Sequence, residues 1–395
     1  MRKKIFCWWF VLLYLTANSQ AFLSEHAVIS LLTATPCDYA VYTLYGHTAI
    51  RVRDSISPNK PIDYVFNYGT FDDSQPLFEY HFAKGDLDYK LSYYDYEHFA
   101  IERQILNSSV YEQILNLTPQ EKQDLWTTLI INLQSENRTY RYNYFFDNCA
   151  TRPANLIENV INGQIIYVEN NKNETFRDII NELTRDNAWL TFGCDLALGL
   201  QTDRIVGFRE SFFIPAYLYD AFSGAQIVNP DGTKRPLVSA EYVLIEAVPE
   251  EAGKLFFTPL VCSLLLLITV LSVTWIEWRR KKYFRWLDCL LFFVAGLAGC
   301  IMFFLCFISE QPFVWPNMSI GWLHPFHLIG VTLFAIKKLN KAAYIYHFVN
   351  FVALLLMLVA WIFIPQHLNI TFIPLIAMLL IRSGYGLIRN KINLK

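Results

Sequence analysis

Charge is what this sequence has little of. Of its 395 residues only 17% are charged, where a soluble globule carries about a quarter. The net charge is −2, so no broad basic face is available to neutralise phosphates and nucleic acid is excluded as a partner. There is no internal repeat and no low-complexity tract, which sets aside solenoid and linker-like architectures. A disulfide framework is missing too, although eight cysteines are present. Cys7 falls in the first, apolar stretch, and Cys262, Cys289, Cys300 and Cys306 lie in apolar runs, where cysteine acts as a small hydrophobe. That leaves Cys37, Cys149 and Cys194, an odd number, in the segment between. If that segment is exported, at least one thiol stays unpaired in a compartment that favours oxidation, and such a thiol needs a reason.

What the chain has in excess is apolar surface: 54% hydrophobic residues, 16% aromatic. Arg2, Lys3 and Lys4 followed by Ile5 to Leu15 and Ala17-Asn18-Ser19 read as a secretory signal over 1–19. From about residue 251 the sequence turns into apolar spans near Phe256–Ile276, Leu287–Ile308, Trp322–Ile336, Ala343–Ile364 and Ile370–Ile388, most of them of bilayer length. The basic residues gather after the first span (Arg279, Arg280, Lys281, Lys282, Arg285), after the third (Lys337, Lys338, Lys341) and at the end (Arg389, Lys391, Lys395). The 309–321 loop has no Lys or Arg. Export of the first part followed by five spans puts every basic cluster in the cytoplasm, as the positive-inside rule requires. The expectation is an inner-membrane protein with its carboxyl terminus inside and a third span that is short, tilted or re-entrant. Glu277 and Asp288, at the cytoplasmic ends, are expected to be solvated.

Residues 20–250 form the exported domain, of mixed α and β character. Val41 to Arg53 alternates and is rich in β-branched and aromatic residues, as a strand is, and Ile62 to Tyr68 is a second strand. Thr118-Pro119-Gln120-Glu121 is a capping box with proline at the first helical position, ahead of Leu125, Leu129 and Leu133. Segment 221–250, with Gly224, Pro230, Gly232 and Pro236, reads as a hairpin and a linker to the membrane.

Two stretches carry chemistry. Tyr45-Gly46-His47-Thr48-Ala49-Ile50-Arg51 puts a histidine on the first strand, and Asp147-Asn148-Cys149-Ala150-Thr151-Arg152 puts a cysteine where an aromatic run breaks into a helix. Free N–H groups at a helix start favour a thiolate, the nucleophilic form, and Pro153 implies that the helix begins near Thr151. A neighbouring histidine serves as base and then as acid. If 41–53 and 62–68 pair as antiparallel strands, one register sets His47 opposite Asn67 and Arg51 opposite Asp63. Asn67 then orients the imidazole, as in Cys-His-Asn sites. The Cys149 N–H is a candidate oxyanion donor, with Asn148 and Arg51 as helpers. His324 and His327 could share one helix face, but no cysteine or carboxylate is close in sequence and Pro325 interrupts, so neither metal nor cofactor is expected. With Trp315, Asn317 and Trp322 they fit the outer-leaflet entrance for a lipid headgroup better.

The Gly46–Arg51 strand, Phe66-Asn67-Tyr68-Gly69-Thr70-Phe71, Gly85-Asp86-Leu87-Asp88-Tyr89 and the Asp147–Arg152 element together resemble the Lnb family of lipoprotein N-acyltransferases of Bacteroidota. That resemblance implies a circularly permuted papain-like, α+β periplasmic domain followed by a membrane helical bundle, here 251–395. It implies a phospholipid as acyl donor, a Cys149 thioester, and the α-amino group of a diacylated lipoprotein's amino-terminal cysteine as acceptor. Catalytic roles fall on Cys149, His47 and Asn67, and substrate or oxyanion roles on Asn148, Arg51 and Arg152. The residues alone leave two other readings open, a membrane-anchored cell-wall cysteine peptidase or amidase and a non-catalytic receptor.

Overall fold

The computed structural model describes residues 22–56, 61–169, 172–248 and 256–393. The expected signal peptide lies outside the described residues. The chain forms two compact units: 1–72, 88–170 and 208–248 make the first, and 73–87, 171–207 and 249–395 the second.

The first unit is built on seven strands: β1 (Val28–Ala34), β2 (His47–Asp54), β3 (Ile62–Thr70), β4 (Asp88–Asp95), β5 (Val110–Leu115), β6 (Thr139–Arg141) and, after a three-stranded sheet of β7 (Gln164–Ile166), β8 (Gln226–Val228) and β9 (Lys234–Pro236), β10 (Val238–Ile245). The large sheet runs β10-β5-β1-β2-β3-β4-β6 with every pair antiparallel. Successive side chains alternate between its faces. Leu32, Ala34, Ala49, Val65 and Val110 bury one face together with Phe99 of the Tyr96–Ile105 helix. The Pro119–Asn132 and Thr151–Val160 helices bring Leu125, Trp126, Leu129, Ala154 and Ile157 into a second buried set, in which Trp126 meets Phe66 of β3 edge-on. At roughly 25 cal/mol per Å² of apolar area, burying such side chains contributes about 1.5–3 kcal/mol each.

The Thr118–Glu121 capping box forms as expected, Thr118 N–H donating to Glu121 Oε2 (2.7 Å) and Glu121 N–H to Thr118 Oγ1 (3.3 Å). Glu121 is buried and also takes an ion pair from Arg235 at 2.7 Å. Two sequence expectations fail locally. Val41–Tyr45 is a 3-10 turn, not the start of a strand. Its Thr43 hydroxyl accepts from Ala40 N–H and donates to the Cys37 carbonyl, the kind of local bond that competes with a ladder. Gly46 then breaks the chain at φ +76, where a Cβ would stand only 2.7 Å from the Ala34 carbonyl oxygen, and β2 begins at His47. Likewise 221–250 does contain a hairpin, β8–β9, but the chain continues from it into β10, which pairs with β5, rather than into a linker.

Among its described residues the second unit holds four helices long and apolar enough to cross a membrane: Pro259–Arg279, Arg285–Phe307, Lys337–Val359 and Phe372–Arg389. The expected third span condenses to a nine-residue helix, His327–Ala335, behind the Met318–Gly321 turn and Pro325. Glu277 and Asp288 are not solvated. Both are fully buried and share Arg382 of the last helix, Asp288 at 2.6 Å, because a carboxylate in apolar surroundings is held only by a counter-charge. Two polar knots complete the unit. Arg177 is buried against Asp195 and Asp203, and Asp195 takes a bond from Asn369. Ser309 donates to the Ala83 carbonyl and Gln311 to that of Phe82.

Candidate active site

The Asp147–Arg152 element is a turn in which each polar side chain but one is occupied. Asn148 is buried; its Oδ1 accepts from the N–H groups of Ala150 and Thr151, and its Nδ2 donates to the Tyr144 and Phe213 carbonyls. Asn148 N–H in turn donates to Thr151 Oγ1 at 2.8 Å. Arg152 forks onto Asp147 (2.5 and 2.7 Å) and lies 3.4 Å over the Tyr140 ring. The helix begins at Thr151, so Cys149 precedes it by two residues. Its thiol faces the backbone N–H of Thr48 and its own, both of which favour the ionised sulfur.

Thr48 is the residue after His47. The His47 Nε2 lies 3.0 Å from Asn67 Oδ1, and Asn67 Nδ2 donates to the Val65 carbonyl, which turns Oδ1 toward the ring. His47 therefore donates from Nε2, leaving the Nδ1 lone pair free as a base. Among the described residues no hydrogen bond joins the thiol to the imidazole directly. Gly69 sits at φ +89, and a Cβ there would stand 3.4 Å from the Cys149 Cβ, so the β3 end approaches the cysteine along a backbone that favours glycine.

Both reactive residues are half-buried. Burial pushes the Cys149 thiol up to about 11, against the pull of the two N–H donors and the Arg103 charge. Burial pushes His47 down to about 4, helped by Arg103 and opposed by the Asn67 bond and Glu102. The expected thiolate is thus a thiol: the donors at the helix start are outweighed by desolvation, and the resting pair is neutral.

Arg51 and Asp63 also meet, at 2.7 Å through both Nε and Nη2, while Nη1 reaches Glu112 at 3.2 Å and the guanidinium lies over Tyr96. Arg51, Asn148 and Arg152 are thus spent on structure, which leaves the Cys149 and Thr48 N–H groups as the donors beside the sulfur. The Gly85–Tyr89 stretch divides. Asp86 pairs with His81 and Lys84 in the second unit, and Tyr89 stacks at 4.2 Å on Tyr142 in the first. His327 is bonded on both nitrogens, to the Tyr346 hydroxyl and the Trp322 carbonyl. Among the described residues no group of three or more His, Cys, Asp or Glu could hold a metal. Sequence reasoning missed Arg103, which looks like any helical arginine beside a glutamate.

Two family models match the chain, the Lnb N-terminal periplasmic domain over residues 17–182 and the Lnb transmembrane domain over 250–392. The chain belongs to the Lnb family. No curated protein and no solved structure matches it. An Lnb protein of this layout is a membrane protein with a periplasmic domain and membrane-spanning helices, and the membership suggests lipoprotein N-acyltransferase activity.

Proposed function

We propose that this Lnb protein moves a fatty acyl group from a phospholipid, through a Cys149 thioester, to the α-amino group of a diacylated lipoprotein's amino-terminal cysteine. The observation that carries the reading is the position of the thiol. It faces the N–H of Thr48, the residue after His47, and the Nε2 of His47 is fixed by Asn67 at 3.0 Å. In the first half-reaction His47 Nδ1 takes the thiol proton as sulfur attacks the ester carbonyl. The developing oxyanion accepts from the Cys149 and Thr48 N–H groups, the C–O bond breaks, and His47 returns the proton to the departing lysolipid oxygen. In the second, the amine attacks the thioester, His47 takes a proton from nitrogen, and the amide forms as the thiol is restored. A neutral amine and a neutral base suit this aminolysis, since an ammonium has no lone pair to attack with.

Histidine and asparagine on neighbouring antiparallel strands, with the cysteine turn later in the chain, support a permuted papain-like arrangement. For the membrane part we assign a cytoplasmic carboxyl terminus, supported by the basic clusters near 279–285, 337–341 and 389–395. The short His327–Ala335 helix and the turn before it then complete a fifth crossing. Both substrates stay in the bilayer, which gives a membrane-embedded acyltransferase its reason. The test is mass spectrometry of lipoprotein amino termini from cells carrying Cys149→Ala. Loss of the N-acyl group is expected. Full N-acylation in a strain with no second enzyme rules the function out.

A further inference from the structure

The Tyr96–Ile105 helix lies over the sheet face that carries Ala49 and Val65, and by strand alternation His47 and Asn67 belong to the same face. Its last turn brings Arg103 there. Arg103 is 8% exposed and pairs with Glu102 at 3.0 Å. The other Glu102 oxygen takes the Tyr94 hydroxyl. The Arg103 guanidinium stands 5.2 Å from the Phe99 ring, and its Nε is buried with no acceptor among the described residues. An unmatched buried donor of this kind is costly unless something else meets it. Arg103 acts on both members of the reacting pair, lowering the pKa of His47 and of Cys149 alike, while Glu102 is felt only by His47 and more weakly. Of the pair, it is the Arg103 charge that reaches both the thiol and the imidazole. The other two site arginines have no such capacity, Arg51 being held by Asp63 and Glu112 and Arg152 by Asp147.

We propose that Arg103 is the anion site of the donor subsite, its unmatched N–H and fork of donors taking the phosphodiester of the glycerophospholipid whose ester Cys149 attacks. A planar guanidinium meets two phosphate oxygens at once, and in a glycerophospholipid the phosphate lies only a few bonds from the acyl esters. The site thereby selects a phosphate-bearing donor over a neutral diacylglycerol with the same esters. This rests on the acyltransferase function proposed for the Cys149 site.

The experiment uses the full-length protein in detergent–lipid micelles and follows acylation of the Cys149 peptide by mass. The donors are phosphatidylethanolamine and, separately, diacylglycerol of the same acyl composition. Arg103→Gln is expected to raise KM for the phospholipid about ten- to a hundredfold, as loss of a charged hydrogen bond does, with KM for diacylglycerol unmoved; any change in acylation rate that comes from the lost charge on His47 and Cys149 is shared by both donors. Arg103→Lys keeps the charge but forfeits the fork, and is expected to fall between. It also carries the test if the glutamine variant does not fold. An equal rise in KM for both donors, or a rise for neither, overturns the anion site while leaving the acyltransferase reading intact. No acyl-enzyme from either donor with the unmodified protein removes that reading, and this inference with it.

Discussion

His47 and Asn67 meet at 3.0 Å in a register that does not place them face to face. β2 and β3 pair Ile50 with Phe66 and Arg51 with Val65, two residues away from the register that would set His47 opposite Asn67. The contact forms diagonally, and so does Arg51–Asp63. A slip of two keeps every side chain on its own face, where a slip of one would have turned them away, and diagonal neighbours remain within reach of long side chains.

Since the diagonal bond fixes the ring through Nε2, Asn67→Ala should leave a folded protein whose imidazole swings. A loss of roughly a hundredfold in kcat/KM for acyl transfer is expected, within the range that general acid–base catalysis contributes. The measurement is steady-state transfer to a diacylated lipopeptide, with thermal unfolding as the control for folding. Activity within about twofold of the parent would remove Asn67 from the site.

What the sequence made legible was parity and chemistry. The faces of β2 and β3, the capping box at Thr118 and the break before Thr151 all arise from local residue patterns. What it hid depends on the environment. The strand reading of 41–53 failed at Gly46 because the close carbonyl of Ala34 comes from another part of the chain. The thiol looked ionised because a helix start is visible in sequence and the depth of a site is not. Arg103 and the Arg382 partners, 94 and 105 residues away, are beyond any short-range pattern.

Asn148 offers a test that separates a structural residue from an oxyanion donor. Asn148→Ala removes the bonds that its side chain makes to the carbonyls of Tyr144 and Phe213 and to the N–H groups of Ala150 and Thr151. The expected cost is about 3 kcal/mol of stability, from lost capping and unmatched buried groups. Activity per folded molecule should fall less than tenfold, where removal of an oxyanion donor costs about 10²–10³. Denaturant titration beside turnover measures both quantities.

In the membrane unit, Arg382→Met strips the counter-charge from two fully buried carboxylates, Glu277 and Asp288. Breaking a buried pair in this way costs about 3–5 kcal/mol. The triple variant Arg382→Met, Glu277→Gln, Asp288→Asn should recover most of it, because no uncompensated charge is left. Unfolding in detergent, followed by Trp fluorescence, tests the order parent, triple, single. A single variant as stable as the parent would show that the cluster is not closed.

The neutral state of the dyad sets the pH behaviour. With Cys149 at about 11 and His47 at about 4, the thiol–imidazole pair is the populated form across the whole neutral range. Alkylation of Cys149 by iodoacetamide should then be slow at pH 7 and rise about tenfold per pH unit toward pH 10, as the thiolate fraction does. A plateau from about pH 6 upward would instead reveal a preformed thiolate–imidazolium pair. Stability depends on the same two groups with opposite limbs. His47 is depressed from 6.5, so below that value the unfolded chain takes up the proton first, and stability falls as pH drops toward 4. Cys149 is raised from 9.0, so above that value the unfolded chain releases its proton first, and stability falls as pH climbs toward 11. Melting temperatures measured from pH 4 to 11 should therefore be highest between about 6.5 and 9. In Cys149→Ala the alkaline limb should flatten while the acid limb persists, which assigns each limb to its residue.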